Sequence, residues 1–248
     1  MKTMSFNVLC CGVGEFAWEN RADRVIETIR RYMPDTLGIQ ESHKGWMDTL
    51  TAALPEYAYE GMGRDDGKDG GEFSPVFYKK DKFEKLDSGS FWVSEHPDAP
   101  GKGWDANCPR TCSWVKLKDK ETGKILLHFN THLDHVGEEA REQGAYLIAA
   151  KAAEIGTGAP AIITGDFNTY TDEPGYAAII KSGFSDARNI AVRSDKRATY
   201  HDYNDLDDII DFIFVKGLES VAEFRVDNIP VDGKYPSDHY PICTEFEL

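Results

Sequence analysis

Short apolar runs rich in β-branched or aromatic residues recur from one end of the chain to the other. Most are too short for a typical helix, and runs of this length and composition are typical of buried β-strands. We therefore predict strands over residues 4–9, 36–39, 76–78, 112–117, 125–131, 161–164, 209–215 and 242–246.

Three segments instead show the spacing of apolar residues that places them on one face of a helix. The clearest is 21–33, which Asn20 can cap at its start and Pro34 ends. The other two are 138–154, which is rich in alanine, and 174–181, which has a proline at its start. We expect these helices to cover a sheet core.

The order of the predicted elements indicates the fold class. Strands outnumber helices, and several strands follow one another with no helix between them. This order favours an α/β sandwich of two mixed or antiparallel sheets flanked by helices over a doubly wound parallel sheet. A chain of 248 residues without a long linker predicts a single domain over residues 1–248.

The charge balance narrows the classes of partner. The chain has 43 acidic and 28 basic side chains, a formal net charge of −15. Such a field repels polyanions and argues against a protein that coats nucleic acid, although a local basic patch would still permit a nuclease. No segment approaches the apolar length of a bilayer span. We expect a cytoplasmic monomer that does not enter a membrane.

Polar side chains stand at the ends of three predicted strands. Glu41 follows one strand, His132 ends a second, and Asp166 and Asn168 end a third. Each has an ordinary explanation, because Glu41 could cap a helix, Asp166 could form an Asx turn and His132 could be a satisfied core histidine. Their joint occurrence supplies carboxylates for a hard cation, a group to orient water and donors for a phosphoryl group, and it favours a common site.

The segment 236–241 near the C-terminus adds an acid–base group. His239 titrates near neutral pH, and a carboxylate partner would fix its tautomer. Asp238 is adjacent, but neighbouring residues on an extended segment point to opposite faces. Asp211 lies within an apolar strand, where a carboxylate is costly unless it is paired, and is the better candidate.

With these residues the sequence resembles the endonuclease/exonuclease/phosphatase superfamily, which includes DNase I-like nucleases and phosphatases. The resemblance covers nearly the whole chain and implies a two-sheet α/β sandwich flanked by helices that hydrolyses phosphate esters with Mg²⁺ or Mn²⁺. It rests on the segments 5–7, 38–41, 130–133, 165–168, 210–213 and 237–239.

The resemblance also implies a role for each matching residue. Glu41 would be the principal magnesium ligand, with Asn7 nearby and Asp238 as a possible further ligand. His132 and Asn168 would hold the scissile phosphate.

The remaining matches concern the movement of protons. Asp166 would position or deprotonate the attacking water. His239, supported by Asp211, would contact the phosphate and exchange a proton.

The chain resembles in particular a bacterial subgroup whose substrates are mostly unassigned. Arg110, which precedes a strand, could clamp a phosphate or could equally be an ordinary surface ion-pair partner. The loop 61–72 is rich in glycine and charge, and a solvated hairpin tip is favoured there over a lid that faces the substrate. Weaker candidates for substrate contact are Glu72, Asp134, His135 and Arg141.

Three functions remain open at this level. The first is a metal-dependent phosphoesterase that acts on a small or medium phosphodiester or phosphomonoester. The second is a true nuclease with a local cationic groove beside Glu41 and Asp166. The third is a non-catalytic protein that binds a phosphorylated partner through the same site. Specificity in such a fold resides in loops, so the fold alone does not choose between them.

Overall fold

The computed structural model describes residues 1–204 and 206–248. Its strands form a seven-stranded sheet and a six-stranded sheet. The strands are β1 (Lys2–Asn7), β2 (Thr36–Gln40), β3 (Tyr57–Glu60), β4 (Val76–Lys79), β5 (Phe83–Trp92), β6 (Thr111–Asp119), β7 (Ile125–His132), β8 (Ala161–Asp166), β9 (Ser185–Asp186), β10 (Arg193–Ser194), β11 (Asp211–Lys216), β12 (Ser220–Val226) and β13 (Ile242–Glu247).

The two sheets are both mixed. The first has the order β10-β12-β13-β1-β2-β4-β3, and the second has the order β5-β6-β7-β8-β11-β9. Only β1–β2 and β10–β12 are parallel pairs in the first sheet, and only β7–β8 is parallel in the second, within the described residues. The helices are α1 (Ala22–Tyr32), α2 (Lys44–Ala53), α3 (Glu138–Gly156), α4 (Pro174–Lys181) and α5 (Ala187–Ile190). The predicted sandwich is confirmed.

Helices cover each sheet with apolar side chains. On the first sheet, Val25 of α1 and Trp46 of α2 are fully buried. On the second, Ile148 of α3 and Ile179 of α4 pack against the cluster that contains Phe129. Full burial of a side chain of this size contributes about 1.5–3 kcal/mol, so these contacts make the helices integral to the fold.

The start of α1 differs from the prediction. Arg21 occupies the N-cap position, with no side-chain capping hydrogen bond. Asn20 ends a short 3-10 helix, and its side chain donates to the carbonyl oxygen of Gly14 at 2.8 Å, so the prediction that it caps α1 was wrong. The helix ends as expected, because Met33 adopts the left-handed conformation one residue before Pro34.

All eight predicted strands are present, with ends shifted by a few residues, but others were missed. The centre of β5 is exposed, and β12 alternates between exposed and buried positions. β3 is an edge strand of four residues. Strands that face water carry polar side chains and therefore lack the continuous apolar run on which the prediction depended.

A layer of polar side chains lies buried between the two sheets. The Gln40 amide donates to Ser5 Oγ at 3.0 Å and to Asn130 Oδ1 at 2.6 Å. Thr164 Oγ1 donates to the same Asn130 oxygen at 2.9 Å and lies 2.9 Å from Nε2 of His128. All five residues are buried, and we call them the polar layer. Because the Gln40–Asn130 hydrogen bond joins the two sheets, and the other bonds hold its partners within each sheet, the layer fixes the sheets' relative position.

Strand register brings the predicted site residues to one end of the sandwich. His132 stands opposite Asp166 in the parallel β7–β8 pair, and Asp211 stands opposite Asp166 in the antiparallel β8–β11 pair. In the first sheet, Asn7 stands opposite Gln40, the residue before Glu41. The ends of these strands therefore come together next to the polar layer, whose residues lie in the same strands.

Candidate active site

A cleft of about 310 Å³ opens at this end of the sandwich. The last residues of β7 and β8 line it, together with residues from the connections that follow strands of both sheets. The predicted site residues that line the cleft are Glu41, Glu72, Arg110, His132, His135, Asp166, Asn168, Asp238 and His239.

Asn7 links the two central carboxylates. Its Nδ2 donates to Glu41 Oε1 at 3.0 Å and to Asp166 Oδ2 at 3.0 Å, while its Oδ1 accepts the N–H of Leu9. Glu41 also accepts the N–H of Cys10 at 2.9 Å. In this rotamer Asn7 presents its amide nitrogen rather than its oxygen to the two carboxylates, and it therefore positions them. To act as a metal ligand, the Asn7 amide would have to rotate so that its oxygen faced the site.

The acidic groups of the cleft differ in how well their charge is compensated. Burial raises the pKa of the Glu41 carboxyl, but hydrogen bonds from Cys10 and Asn7 outweigh it and hold that pKa below its usual value. Burial, then the charge of Asp211, raises the pKa of Asp166. Burial also raises the pKa of Asp238. The site therefore concentrates negative charge that is only partly balanced.

This donor set fits a hard divalent cation. Ligand atoms of Glu41, His132 and Asp166 all lie within 4.8 Å of one another. Carboxylate oxygens that are short of positive partners are the ligands that Mg²⁺ and Mn²⁺ prefer. Asp238 lines the same cleft, and Ser237 Oγ donates to its Oδ1 at 3.1 Å.

His239 pairs with Asp211. The distance from Nδ1 of His239 to Oδ2 of Asp211 is 2.9 Å, and both side chains are buried. Burial disfavours the imidazolium, but the charges of Asp211, Asp166 and Asp238 outweigh this effect and raise the pKa of His239 to about 10. The sequence favoured Asp211 over the adjacent Asp238 as the partner, and the geometry agrees.

His132 is held in the opposite protonation state. Asn168 Nδ2 donates to Nε2 of His132 at 3.0 Å, and Asp166 Oδ2 lies 3.5 Å from the same nitrogen. Burial, followed by the charges of Arg110 and Arg64, holds the pKa of His132 well below its ordinary value. Its Nδ1 is buried and has no hydrogen-bond partner among the described residues, so it is free to contact a ligand.

Arg110 is buried and is not the surface ion-pair partner that was the alternative prediction. Only 5% of it is exposed, and its Nη2 lies 3.1 Å from Nδ1 of His135. Its Nε is 3.6 Å from Asp134 and its Nη1 is 3.9 Å from Glu72. Within the described chain neither nitrogen makes a hydrogen bond, which leaves two donors for an anion or a hydroxyl in the cleft.

The loop 61–72 contributes two residues to the wall of the cleft. Arg64 Nη1 and Glu72 Oε2 are 2.7 Å apart, and both side chains line the cleft. The tip between them is exposed, as expected of a solvated hairpin, but its two ends face the site. Sequence reasoning missed Arg64, since a charged residue in a glycine-rich loop gives no periodic signal. Tyr200, whose ring centroid lies 4.7 Å from that of His239, was also missed.

Asp134 and Arg141, the other two candidates for substrate contact, do not line the cleft. The Asp134 carboxylate accepts four backbone N–H groups, those of residues 107, 108, 136 and 137. Arg141 Nη1 donates to the carbonyl oxygen of Asp134 at 3.1 Å. Both residues hold the loop that carries His135.

Two further depressions, of about 330 and 490 Å³, lie beside Glu223 and Arg225. No histidine lines either one in the part of the chain that the structure describes. Their acidic side chains are already paired, as in the 3.0 Å contact between Arg31 and Asp227. Neither combines the groups that phosphoryl chemistry needs.

Comparison with known proteins agrees with this fold and site. Residues 4–239 match the Endonuclease/Exonuclease/phosphatase family, and the chain belongs to this family. Members of the family are phosphoesterases or nucleases, hydrolases that act on phosphate esters. The match begins within β1 and includes every described strand from β2 to β12.

Solved structures resemble the chain over its whole length. An endonuclease/exonuclease/phosphatase from Bacteroides vulgatus is 41% identical, with a TM-score of 0.95, and the match covers 100% of this chain and 98% of that one. A mannosyl-6-phosphatase from Bacteroides thetaiotaomicron is 34% identical, with a TM-score of 0.92 and full coverage of both chains.

A curated relative is more distant. An uncharacterized protein of Acanthamoeba polyphaga mimivirus is 28% identical over 161 residues, which are 62% of this chain. The chain spans 60% of the length of that relative. In the described residues no helix is both long enough and apolar enough to cross a membrane.

Proposed function

We propose that this protein is a Mg²⁺- or Mn²⁺-dependent phosphomonoesterase that acts on a small sugar phosphate. The observation that carries the proposal is the composition of the cleft, which has a volume of about 310 Å³. It combines two carboxylates with groups that can bind a phosphoryl group, and these residues are Glu41, Asp166, His132, Asn168 and His239. The family's general activity on phosphate esters, the donor set and the size of the cleft all support it.

The charge of the cleft favours one phosphate group over many. Its four carboxylates and three cationic groups leave one net negative charge when all are ionised. Asp211, which pairs with His239 behind the cleft, adds one further negative charge, so a divalent cation would bring the total to zero, which permits one phosphate group and does not favour a polyanion. The groups counted are Glu41, Glu72, Asp166, Asp238, Arg64, Arg110 and His239.

The basic side chains of the cleft are few and paired, which argues against a polynucleotide substrate. A nuclease with this overall charge would need a cationic strip beside Glu41 and Asp166. The described arginines that line the cleft are Arg64 and Arg110, and each lies within 4 Å of an acidic side chain. The pairing of both arginines in the described cleft favours the phosphomonoesterase over the nuclease.

A bound divalent cation would be held by Glu41, with Asp238 as a further candidate, and would neutralise charge on the phosphoryl oxygens and lower the pKa of water. Asp166 is placed to take a proton from the attacking water, because burial raises its pKa toward the working range of a base. As the new P–O bond forms, the bond to the leaving alcohol breaks and the alcohol oxygen would take a proton from the His239 imidazolium, which Asp166 at 3.8 Å could replace with the proton taken from water.

The histidines and Asn168 would bind the phosphoryl oxygens. The Nε2 of His239 faces Asp166 at 3.8 Å and carries a proton at neutral pH, so it can donate to an anionic oxygen. The two Asn168 Nδ2 hydrogens serve His132 Nε2 and the Leu133 carbonyl oxygen, so Asn168 would contact the phosphate only by giving up one of these bonds, and Arg110 provides further donors around the same volume. Donors that are fixed before the reaction stabilise the transition state most effectively.

The relative from Bacteroides thetaiotaomicron supports the choice of substrate class. It is called a mannosyl-6-phosphatase and matches this chain along its full length. A phosphorylated hexose is also small enough for the cleft. We therefore take D-mannose 6-phosphate as the first probe.

The test is a phosphate-release assay with purified protein, Mg²⁺ or Mn²⁺, and D-mannose 6-phosphate. Bis-p-nitrophenyl phosphate and a labelled single-stranded oligonucleotide serve as the diester and nuclease probes, and Asp166→Ala serves as the inactive control. We expect release from the sugar phosphate that the variant abolishes. Cleavage of the oligonucleotide alone would favour the nuclease, and tight binding without product would favour a binding protein.

A further inference from the structure

The loop 61–72 is a rigid hairpin rather than a loose tip. The Arg64 N–H donates to the carbonyl oxygen of Glu72 at 2.9 Å, and Trp92 Nε1 donates to the carbonyl oxygen of Arg64 at 2.8 Å. At the turn, the carboxylate of Asp66 accepts two backbone N–H groups at 2.8 and 2.9 Å. The loop therefore holds the Arg64 and Glu72 side chains in place before any ligand arrives.

These two side chains stand next to the groups that would hold the phosphate. Glu72 Oε2 is 3.7 Å from the unpartnered Nδ1 of His132 and 3.9 Å from Nη1 of Arg110. Arg64 contacts the same Glu72 oxygen at 2.7 Å and keeps further N–H donors. The pair lines the cleft beside His132 and Arg110, and Cys10 lies between Glu72 and Glu41, with its Sγ 3.6 Å from Glu72 Oε1. A leaving alcohol held next to the phosphate would meet both side chains.

The chemistry of the pair selects among leaving groups. An arginine and a carboxylate side by side offer donors and an acceptor, which match hydroxyl groups because a hydroxyl both donates and accepts. A second anion would be repelled by Glu72. A nucleobase would need an aromatic platform, and the described aromatic side chain of the cleft wall is Tyr200, whose ring already packs against His239 at an interplanar angle of 46°.

We propose, on the basis of the function proposed above, that Arg64 and Glu72 form a subsite for the leaving group that binds neighbouring hydroxyls of a sugar. The subsite makes the enzyme selective for phosphorylated sugars over phosphate esters of simple alcohols. The unpartnered nitrogens of the buried Arg110 add donors at its edge.

Selectivity between two phosphomonoesters tests this assignment. The kcat/KM values of D-mannose 6-phosphate and of n-propyl phosphate, which has no hydroxyl groups, are measured for the wild type, Arg64→Gln and Glu72→Gln. Lys68→Gln, at the exposed tip of the same loop, is the matched control. The ratio of the two values does not depend on the fraction of folded protein, so a poorly folded variant still gives a valid result.

We expect the wild type to favour the sugar phosphate and each variant to lower the ratio by about ten- to a hundredfold, since each loses hydrogen bonds that involve a charged group. Lys68→Gln should keep the wild-type ratio. If Arg64→Gln and Glu72→Gln lowered kcat/KM by the same factor for both substrates, the proposed subsite would be wrong, but the proposed phosphomonoesterase activity would stand. Hydrolysis of neither substrate by the wild type would overturn the proposed function and, with it, the subsite.

Discussion

The Nδ1 atom of His239 lies 2.9 Å from Oδ2 of Asp211, and Asp211 itself stands opposite Asp166 in the β8–β11 ladder. One buried carboxylate thus supports the histidine and raises the pKa of the neighbouring carboxyl. The two candidate proton-transfer groups of the cleft are tuned by the same residue.

The substitution Asp211→Asn should therefore impair proton transfer by both His239 and Asp166. Without this charge the pKa of His239 falls from about 10 toward its ordinary value. Because the protonated form exists below the pKa, we expect the alkaline limb of the kcat/KM profile to move to lower pH and kcat/KM at pH 8 to fall by about 10²–10⁴-fold. Asp207→Asn, an exposed neighbour in the chain, is the control. An unshifted alkaline limb would contradict the account.

Asn7→Ala tests whether the amide holds the two carboxylates together. The variant loses hydrogen bonds to Glu41 and Asp166, so in metal-free buffer we expect the free energy of unfolding to decrease by about 1–3 kcal/mol. Chemical denaturation followed by circular dichroism measures this. Asn20→Ala, which removes one exposed hydrogen bond, should change stability by less than about 0.5 kcal/mol. Equal effects of the two variants would contradict the proposed bridge.

Gly38 tests the packing of the polar layer. A Cβ at this position would lie 2.2 Å from Thr164 Oγ1 and 2.3 Å from Asn130 Oδ1. Gly38→Ala must therefore push the sheets apart or break the polar layer. We expect the free energy of unfolding, measured by chemical denaturation, to fall by about 1–3 kcal/mol or more. Gly101→Ala meets no atom within 4 Å and should leave the melting temperature nearly unchanged. If Gly38→Ala had the same free energy of unfolding as the wild type, the polar layer would not be tightly packed at this position.

His128 makes the fold sensitive to acid. Burial lowers its pKa to about 3, whereas a histidine in the unfolded chain titrates near pH 6.5. Above pH 6.5 both states are neutral. Between pH 6.5 and 3 only the unfolded state takes the proton, so His128 costs up to about 1.4 kcal/mol of stability for each pH unit of acidification.

His128→Gln should weaken this dependence, because glutamine can still hydrogen bond to Thr164 but carries no titrating group. Denaturation at pH 7, 5.5 and 4.5 compares the variant with the wild type. The stability difference between them should shift in favour of the variant as the pH falls. His96→Gln, at an exposed site, should follow the wild type. Parallel curves for His128→Gln and wild type would be inconsistent with a neutral buried imidazole.

The sequence was most informative where burial demands apolar residues. Strands such as β8 lie in the middle of a sheet and show as continuous apolar runs, so their polar ends at His132 and Asp166 stood out. β5 and β12 face water along part of their length and gave no such signal. Asp211 could also be inferred, since a carboxylate inside an apolar strand requires a partner.

Other features depended on tertiary structure that no local pattern encodes. Arg64 reaches the cleft only because of the exact course of the loop 61–72, which is fixed by the contact with Trp92. Asp134 looked like a substrate contact, but its carboxylate is occupied by backbone N–H groups that come from two separate segments. Contacts of this kind depend on loop conformation rather than on residue type.

The central claim is that the cleft is a metal-dependent phosphomonoesterase site. The most direct measurement is phosphate release from D-mannose 6-phosphate by protein treated with a chelator and then titrated with Mg²⁺, for the wild type and Glu41→Gln. The account predicts no release without metal, a saturable return of activity in the wild type, and a much higher Mg²⁺ requirement or no activity in the variant. Metal-independent release, or equal Mg²⁺ titrations of both proteins, would contradict it.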